Sequence, residues 1–187
     1  MPFIPLEEHL PGITGLLEYR QDTAKPIREL THFLLRGPSS LSEGERELIA
    51  TLVSYRNECK FCTAAHTATA DRLLGEPLTT SEMKYNLETA AMSEKMRALL
   101  QIAARVQISG KEVTDELIKK AREEGATDVE IHDTVLIAAL FCLYNRYVDG
   151  LATVAPAQPE FYTCLAERLT NHGYIRLPQG YDHLKKK

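Results

Sequence analysis

Apolar residues recur along the chain at helical spacing, and runs of alternating polarity typical of strands are missing. The stretch that begins at Ser93 has the clearest period. Its apolar positions fall on one face of a helix: Met96, Leu99, Leu100, Ala103 and Val106. Ser42 and Thr127 are each followed three residues later by a glutamate, the pattern of a capping box that opens a helix. The sequence therefore predicts an all-α protein.

Caps, glycines and prolines predict where these helices begin and end. Pro26 fits the first turn of a helix that ends at Gly37-Pro38, and the segment at 78–92 reads as a short helix and loop. The other predicted helices are 42–57, a helix with the cysteines that ends at Gly75, 93–110, 114–125, one running from 127 towards 153, and 159–169.

No linker rich in glycine, proline and serine divides the 187 residues, which are enough for one domain with a sizeable core. We therefore predict a single helical domain over residues 39–187 and an N-terminal helical extension over residues 1–38.

Composition and charge exclude several classes of function. The net charge of −4, without a basic stripe, predicts no nucleic-acid binding. The longest apolar run, 135–144, is about half the ~20 residues that span a bilayer, so no membrane association is predicted. The first residues lack the basic and then apolar pattern of a signal peptide. We expect a cytoplasmic protein.

Cys59, Cys62 and His66 form a Cys-x-x-Cys-x-x-x-His motif. At about 100° per residue these positions lie within roughly 60° of one another on a helix, so they share one face. Thiols three residues apart can form a disulfide without unfolding the helix, and the imidazole one turn later can exchange their protons. This pattern predicts thiol redox chemistry. Cys142 and Cys164 stand singly in apolar helical surroundings and are expected to be packing residues.

The sequence leaves open which thiol is more acidic. Cys59 comes at the start of its helix, where unpaired N–H groups and the helix dipole favour a thiolate. Cys62 lies one turn before His66, which could act as a general base or as a cationic partner.

The spacing Glu47-x11-Cys59-x2-Cys62-x3-His66 resembles the active-site signature of the alkylhydroperoxidase D-like proteins, within the carboxymuconolactone decarboxylase superfamily. The resemblance is closest to the "peroxidase-related" branch, and looser similarity extends over most of the chain after Ser40. It implies a helical fold of the alkylhydroperoxidase D-like type, with the CxxC at the start of a core helix, assembled as a homo-oligomer. It also implies an antioxidant peroxidase.

In the family roles, Cys62 attacks the peroxide and passes through a sulfenic acid, and Cys59 is its proton donor and resolving partner. Glu47 and His66 relay protons. The resemblance thus implies a redox-active disulfide, no bound cofactor or metal, a small hydroperoxide as substrate and an external dithiol donor, which in related systems can be a lipoyl-type carrier.

Some family members carry a second histidine between the cysteines, where this chain has Phe61. Phe61 would instead shape an apolar mouth for an organic hydroperoxide or a hydrophobic reductant, and whether peroxide turnover survives stays open. A weak echo between the two capped helices, 85 positions apart, places His132 opposite Glu47 and Tyr144 opposite Cys59. Both are further candidates for the substrate pocket.

Three alternatives to a peroxidase remain. Cys59, Cys62, His66 and Glu47 are residue types that zinc accepts, although ligands on consecutive turns of one helix do not readily surround an ion. A decarboxylase of the same superfamily would not need the thiol pair. A redox sensor or disulfide-exchange protein would use the same disulfide without turning over peroxide.

Overall fold

The computed structural model describes residues 1–181 and, within them, is helical throughout without a strand. This confirms the predicted all-α class. The helices are α1 (Ile13–Tyr19), α2 (Gln21–Arg36), α3 (Glu43–Arg56), α4 (Lys60–Leu74), α5 (Leu78–Tyr85), α6 (Glu94–Ile108), α7 (Asp115–Glu123), α8 (Asp128–Gly150) and α9 (Pro159–His172). A 3₁₀ turn over Gly110–Glu112 joins α6 to α7.

Both predicted capping boxes are present. The Ser42 hydroxyl accepts from the Glu45 N–H, and the Glu45 carboxylate accepts in return from the Ser42 N–H, which fixes the start of α3. Thr127 and Glu130 do the same at the start of α8. Such reciprocal bonds satisfy N–H groups that have no partner inside the helix.

The N-terminal helices differ from the prediction. Pro26 lies inside α2 and not in its first turn, because α2 already begins at Gln21. The start of α2 carries no recognisable sequence signal, since Arg20 precedes it without a side-chain capping bond. The short α1 was missed for the same reason, as Gly12 provides no side-chain cap. At the other end of the chain, α8 stops at Gly150, short of the predicted region near residue 153.

The core of the molecule is built on close packing between α3 and α4. Ala50, Thr51 and Ser54 of α3 have small side chains that are all fully buried. Small side chains allow neighbouring helices to approach closely. A second apolar cluster surrounds the start of α4, where Leu16 of α1 and Leu165 of α9 pack against the cysteine segment. Helices α1 and α9 therefore cover the thiols.

The predicted extension contributes to the core through α2. Leu34 and Leu35 are buried in the main apolar cluster, and the Arg46 guanidinium donates to the carbonyls of Leu34 and Gly37 at 3.0 and 2.9 Å. The predicted domain boundary near residue 38 stays a prediction. No helix within residues 1–181 is long and apolar enough to cross a membrane.

Candidate functional site

A sharp turn between α3 and α4 positions the two cysteines. Glu58 adopts a left-handed conformation with φ 58°, uncommon for a residue with a side chain, and reverses the chain direction. The Cys59 N–H then donates to the Ser54 carbonyl at 3.1 Å, while the Cys59 carbonyl accepts from Thr63 at 2.9 Å. Cys59 is thus the N-cap of α4, and Cys62 lies in its first turn.

The two thiols are neighbours in the interior. Cys59 is 0% exposed and Cys62 is 2% exposed. A hydrogen bond with the Cys59 sulfur, reinforced by burial, raises the pKa of the Cys62 thiol well above its ordinary value, while a contact with Asn145 acts in the opposite direction. This direction runs against the expectation that His66 favours ionisation of Cys62, because the neighbouring sulfur and burial both favour the protonated thiol. Cys62 needs a base to ionise.

Glu47 is the centre of a buried polar cluster. Its side chain is 0% exposed. The sequence alone did not predict this burial, because a carboxylate at this position of α3 could equally be solvated. One carboxylate oxygen accepts from Arg36 at 2.7 Å and from the Tyr174 hydroxyl at 2.5 Å, and the other contacts His66 Nδ1 at 2.7 Å. The three partners come from α2, the segment after α9, and α4.

Neighbouring charges and hydrogen bonds set the protonation states of Glu47 and Tyr174. Burial alone would raise the pKa of Glu47, but the contacts with His66 and then Arg36 outweigh it and hold the pKa below its ordinary value. Burial and the adjacent Glu47 charge raise the pKa of Tyr174 well above its ordinary value, so the phenol keeps its proton and donates. Because Glu47 is a carboxylate that can only accept, the proton of the Glu47–His66 bond belongs to His66 Nδ1.

This assignment leaves Nε2 of a neutral His66 as a proton acceptor. The imidazole is nearly perpendicular to the Phe141 ring, with centroids 4.5 Å apart, and nearly parallel to the Tyr174 ring, with centroids 6.2 Å apart. These contacts fix the orientation of the imidazole. A carboxylate that holds one imidazole nitrogen, so that the other can act as a base, is a common device of general base catalysis.

Cys62 and His66 open onto the same internal cavity, which has a volume of about 60 Å³. Phe61 and Tyr144 also line it. The remaining lining residues are Ile13, Thr14, Leu17, Ile27, Arg28, Thr31, Ala65, Phe141, Leu165, Arg168, Leu169, Tyr174 and Tyr181. The sulfur that can meet a small molecule is thus that of Cys62, since Cys59 is not among them.

The structure places His132 elsewhere. Its side chain is 70% exposed on α8 and pairs with Asp133 at 2.9 Å, away from the cavity. Near the start of α8 this side of the helix faces solvent. The weak similarity between the two capped helices therefore did not indicate that His132 lines the same cavity as Cys62. Phe61, in contrast, packs against the rings of Phe161 and Tyr162, with centroids 6.2 and 6.0 Å away, and forms an apolar wall.

Two members of the cluster were missed in the sequence. Arg36 lies 11 positions from Glu47, and Tyr174 lies 127 positions away. Neither belongs to a motif, and only the fold brings them together. Within residues 1–181, no group of three or more His, Cys, Asp or Glu side chains is arranged to hold a metal ion.

Comparison with known proteins agrees with this geometry. The carboxymuconolactone decarboxylase family model matches residues 21–104. That range contains Glu47, both cysteines of the motif and His66. The uncharacterized protein YdfG of Bacillus subtilis is 34% identical over 113 residues, which are 58% of this chain and 74% of YdfG. The chain belongs to the carboxymuconolactone decarboxylase family.

Solved structures of other proteins are also similar to this chain in fold. One is a peroxidase-related protein from Silicibacter sp. TM1040, with 26% identity and a TM-score of 0.73 over 79% of this chain and 77% of that chain. Another, from Ralstonia eutropha JMP134, is described as an alkylhydroperoxidase AhpD core and a peroxidase-related protein. It has 26% identity and a TM-score of 0.74 over 83% of this chain and 80% of that chain. The resemblance and fold class inferred from the sequence are confirmed.

Proposed function

We propose that this protein is a thiol-dependent peroxidase that reduces small hydroperoxides through Cys62 and Cys59. The observation that carries the proposal is the buried contact of 2.7 Å between Glu47 and His66, beside a cavity that His66 shares with Cys62. The likeness to peroxidase-related proteins supports the same reaction class.

The first step is removal of the Cys62 proton. Its raised pKa means that the resting thiol is protonated, and His66 Nε2 is the acceptor that the Glu47 contact leaves available. Glu47 also stabilises the imidazolium that forms, because its carboxylate keeps accepting the hydrogen bond from Nδ1–H. A positioned general base of this kind contributes about 10²–10⁴ in rate.

The thiolate then attacks one oxygen of the hydroperoxide. The O–O bond breaks, Cys62 becomes a sulfenic acid, and the alkoxide leaves as an alcohol with the proton held by His66. Cys59 attacks the Cys62 sulfur, water leaves, and a Cys59–Cys62 disulfide forms. The peroxide has gained two electrons and the dithiol has lost two. An external dithiol, such as a lipoyl-type carrier, restores both thiols by exchange.

Hydroperoxide consumption in the presence of a dithiol reductant tests this function. We expect steady turnover for the wild-type protein and for Cys142→Ser, a matched control that removes a half-buried thiol outside the cavity. Cys62→Ser should abolish turnover. Equal rates for wild type and Cys62→Ser would overturn the proposal. A single oxidation of the thiol pair, without turnover by any dithiol, would instead indicate a redox sensor.

A further inference from the structure

Two arginines form one wall of the cavity that holds Cys62 and His66. Arg28 of α2 is 4% exposed and Arg168 of α9 is 5% exposed, and both line the cavity. A buried guanidinium is costly unless its charge and its donors are matched, so each of these side chains requires a partner.

The protein itself matches this charge only in part. Arg28 donates to Glu18 at 2.7 Å, and Glu18 also accepts from Arg176. Arg168 has no carboxylate partner within residues 1–181. Its Nη atoms donate to the carbonyls of Gly173 and Ile175 at 3.5 and 3.2 Å. Arg28 and Arg176 thus both donate to the Glu18 carboxylate, and Arg168 does not.

The positive charges of the two cavity arginines are close enough to oppose each other. Burial lowers the pKa of Arg168, and the charge of Arg28 acts in the same direction. The Tyr181 ring offers its face to both guanidinium groups, at 4.5 Å from Arg168 Cζ and 5.7 Å from Arg28 Cζ. A ring face attracts a cation only weakly compared with an anion, and within residues 1–181 no carboxylate is in contact with the Arg168 guanidinium.

Each of these arginines also has one unused donor. The Nε–H groups of Arg28 and Arg168 are buried and have no hydrogen-bond partner within residues 1–181. A buried donor without a partner costs about 1–3 kcal/mol, and a bound anion that accepts from it removes that cost. Guanidinium groups match planar carboxylates particularly well.

We propose that Arg28 and Arg168 bind the carboxylate of a small organic acid in this cavity. The volume of about 60 Å³ supports this size class, because one water-sized atom needs roughly 10–15 Å³ of such space. A ligand with a handful of non-hydrogen atoms fits, whereas a long acyl chain does not. If the proposed peroxidase function holds, the substrate that follows is a short hydroperoxide or peroxide that carries an acid group.

Alkylation of Cys62 tests the site without any peroxide turnover. Iodoacetate carries a negative charge and iodoacetamide is neutral. The ratio of their alkylation rates at one thiol therefore reports whether an anion-binding site lies next to that thiol. We expect the iodoacetate-to-iodoacetamide rate ratio to be higher at Cys62 than at Cys142. Arg168→Gln should lower the ratio at Cys62 about tenfold, as for loss of a charge-assisted hydrogen bond. Arg122→Gln, which removes an exposed arginine of α7, should leave it unchanged.

A thermal shift measurement gives a readout that does not depend on the thiol. At matched ionic strength, acetate should raise the Tm of the wild-type protein more than acetamide or inorganic phosphate does, and Arg168→Gln and Arg28→Gln should each lose the acetate effect. Equal shifts with phosphate would overturn the assignment to carboxylates. No acetate shift, together with an alkylation ratio that is insensitive to Arg168, would overturn the anion site while leaving the proposed peroxidase function intact.

Discussion

Glu47→Gln tests the proton relay with the least change in side-chain volume. The glutamine offers one oxygen and one NH₂ group where the glutamate offers two oxygens. If the amide NH₂ faced Arg36, two donors would meet across the present 2.7 Å contact. The oxygen therefore stays with Arg36 and Tyr174, and the NH₂ group faces His66 Nδ1.

That orientation reverses the tautomer of the imidazole. His66 Nδ1 must then accept, its proton moves to Nε2, and the base that takes the Cys62 proton is lost. We expect oxidation of Cys62 by a hydroperoxide to slow by about 10²-fold or more, the lower end of what a general base contributes. The free energy of unfolding should fall by about 3 kcal/mol, because Arg36 loses its buried counter-charge.

Single-turnover oxidation, followed as the loss of free thiols after rapid mixing with hydrogen peroxide, measures the rate. Glu43→Gln is the matched control, since Glu43 lies on the same helix and contacts the same Arg36 at 3.4 Å, but is half exposed. Glu43→Gln should lower the free energy of unfolding by at most about 1 kcal/mol and leave the rate of Cys62 oxidation unchanged. A Glu47→Gln protein that folds and is oxidised at the wild-type rate would refute the relay.

The variant should also change the acid stability of the protein. The folded pKa of Glu47 is lower than its ordinary value, so its stabilising contribution is present above the ordinary pKa of glutamate. This contribution is lost as the pH falls through the folded value. The unfolding free energy of the wild-type protein should therefore fall more steeply in acid than that of Glu47→Gln, as chemical denaturation at a series of pH values would show.

Three further variants probe the surroundings of the site. Asn145→Leu removes a contact that lowers the pKa of Cys62, so alkylation of Cys62 by iodoacetamide should slow by about threefold to tenfold. Glu130→Gln should lower the unfolding free energy at neutral pH by about 2–3 kcal/mol in chemical denaturation. Although burial opposes it, hydrogen bonds from Lys95, the Thr127 N–H and Ser40 lower the pKa of Glu130 to about 2, so this stability is lost between about pH 4.5 and pH 2. Gly12→Ala should lower the Tm, because Gly12 has φ 60° and an added Cβ would lie 2.3 Å from the Phe61 ring.

Each of these has a matched control. Asn57→Leu breaks the bond to Asn145 without a contact to Cys62 and should not slow alkylation. Glu123→Gln removes an exposed carboxylate of α7 and should keep the wild-type acid profile. Gly110→Ala meets no atom within 4 Å and should keep the wild-type Tm. Effects as large in the controls as in the variants would contradict the assigned contacts.

The sequence predicted the parts of the fold that local signals determine. Ser42 and Thr127 begin helices because capping is a contact between residues three apart, and the starts of α3 and α8 followed from it. The spacing from Glu47 to His66 likewise indicated one shared site, since α3 and α4 are consecutive and packed together.

The remaining features depend on contacts between distant parts of the chain. Tyr174 reaches Glu47 only because the segment after α9 returns across α4, and no local pattern encodes that path. The raised pKa of Cys62 was also missed, because the hydrogen bond with Cys59 that raises it is reinforced by burial, to which α1 and α9 contribute. Pro26 predicted a helix start because proline favours the first turn, but α2 begins earlier, at Gln21, without a local signal.

Mass spectrometry after addition of one equivalent of hydroperoxide tests the central claim most directly. The wild-type protein should lose two hydrogens and yield a peptide in which Cys59 is bonded to Cys62, and Cys59→Ser should instead accumulate a sulfenic acid on Cys62. Both thiols remaining reduced in the wild-type protein, or oxidation confined to Cys142 and Cys164, would contradict the account.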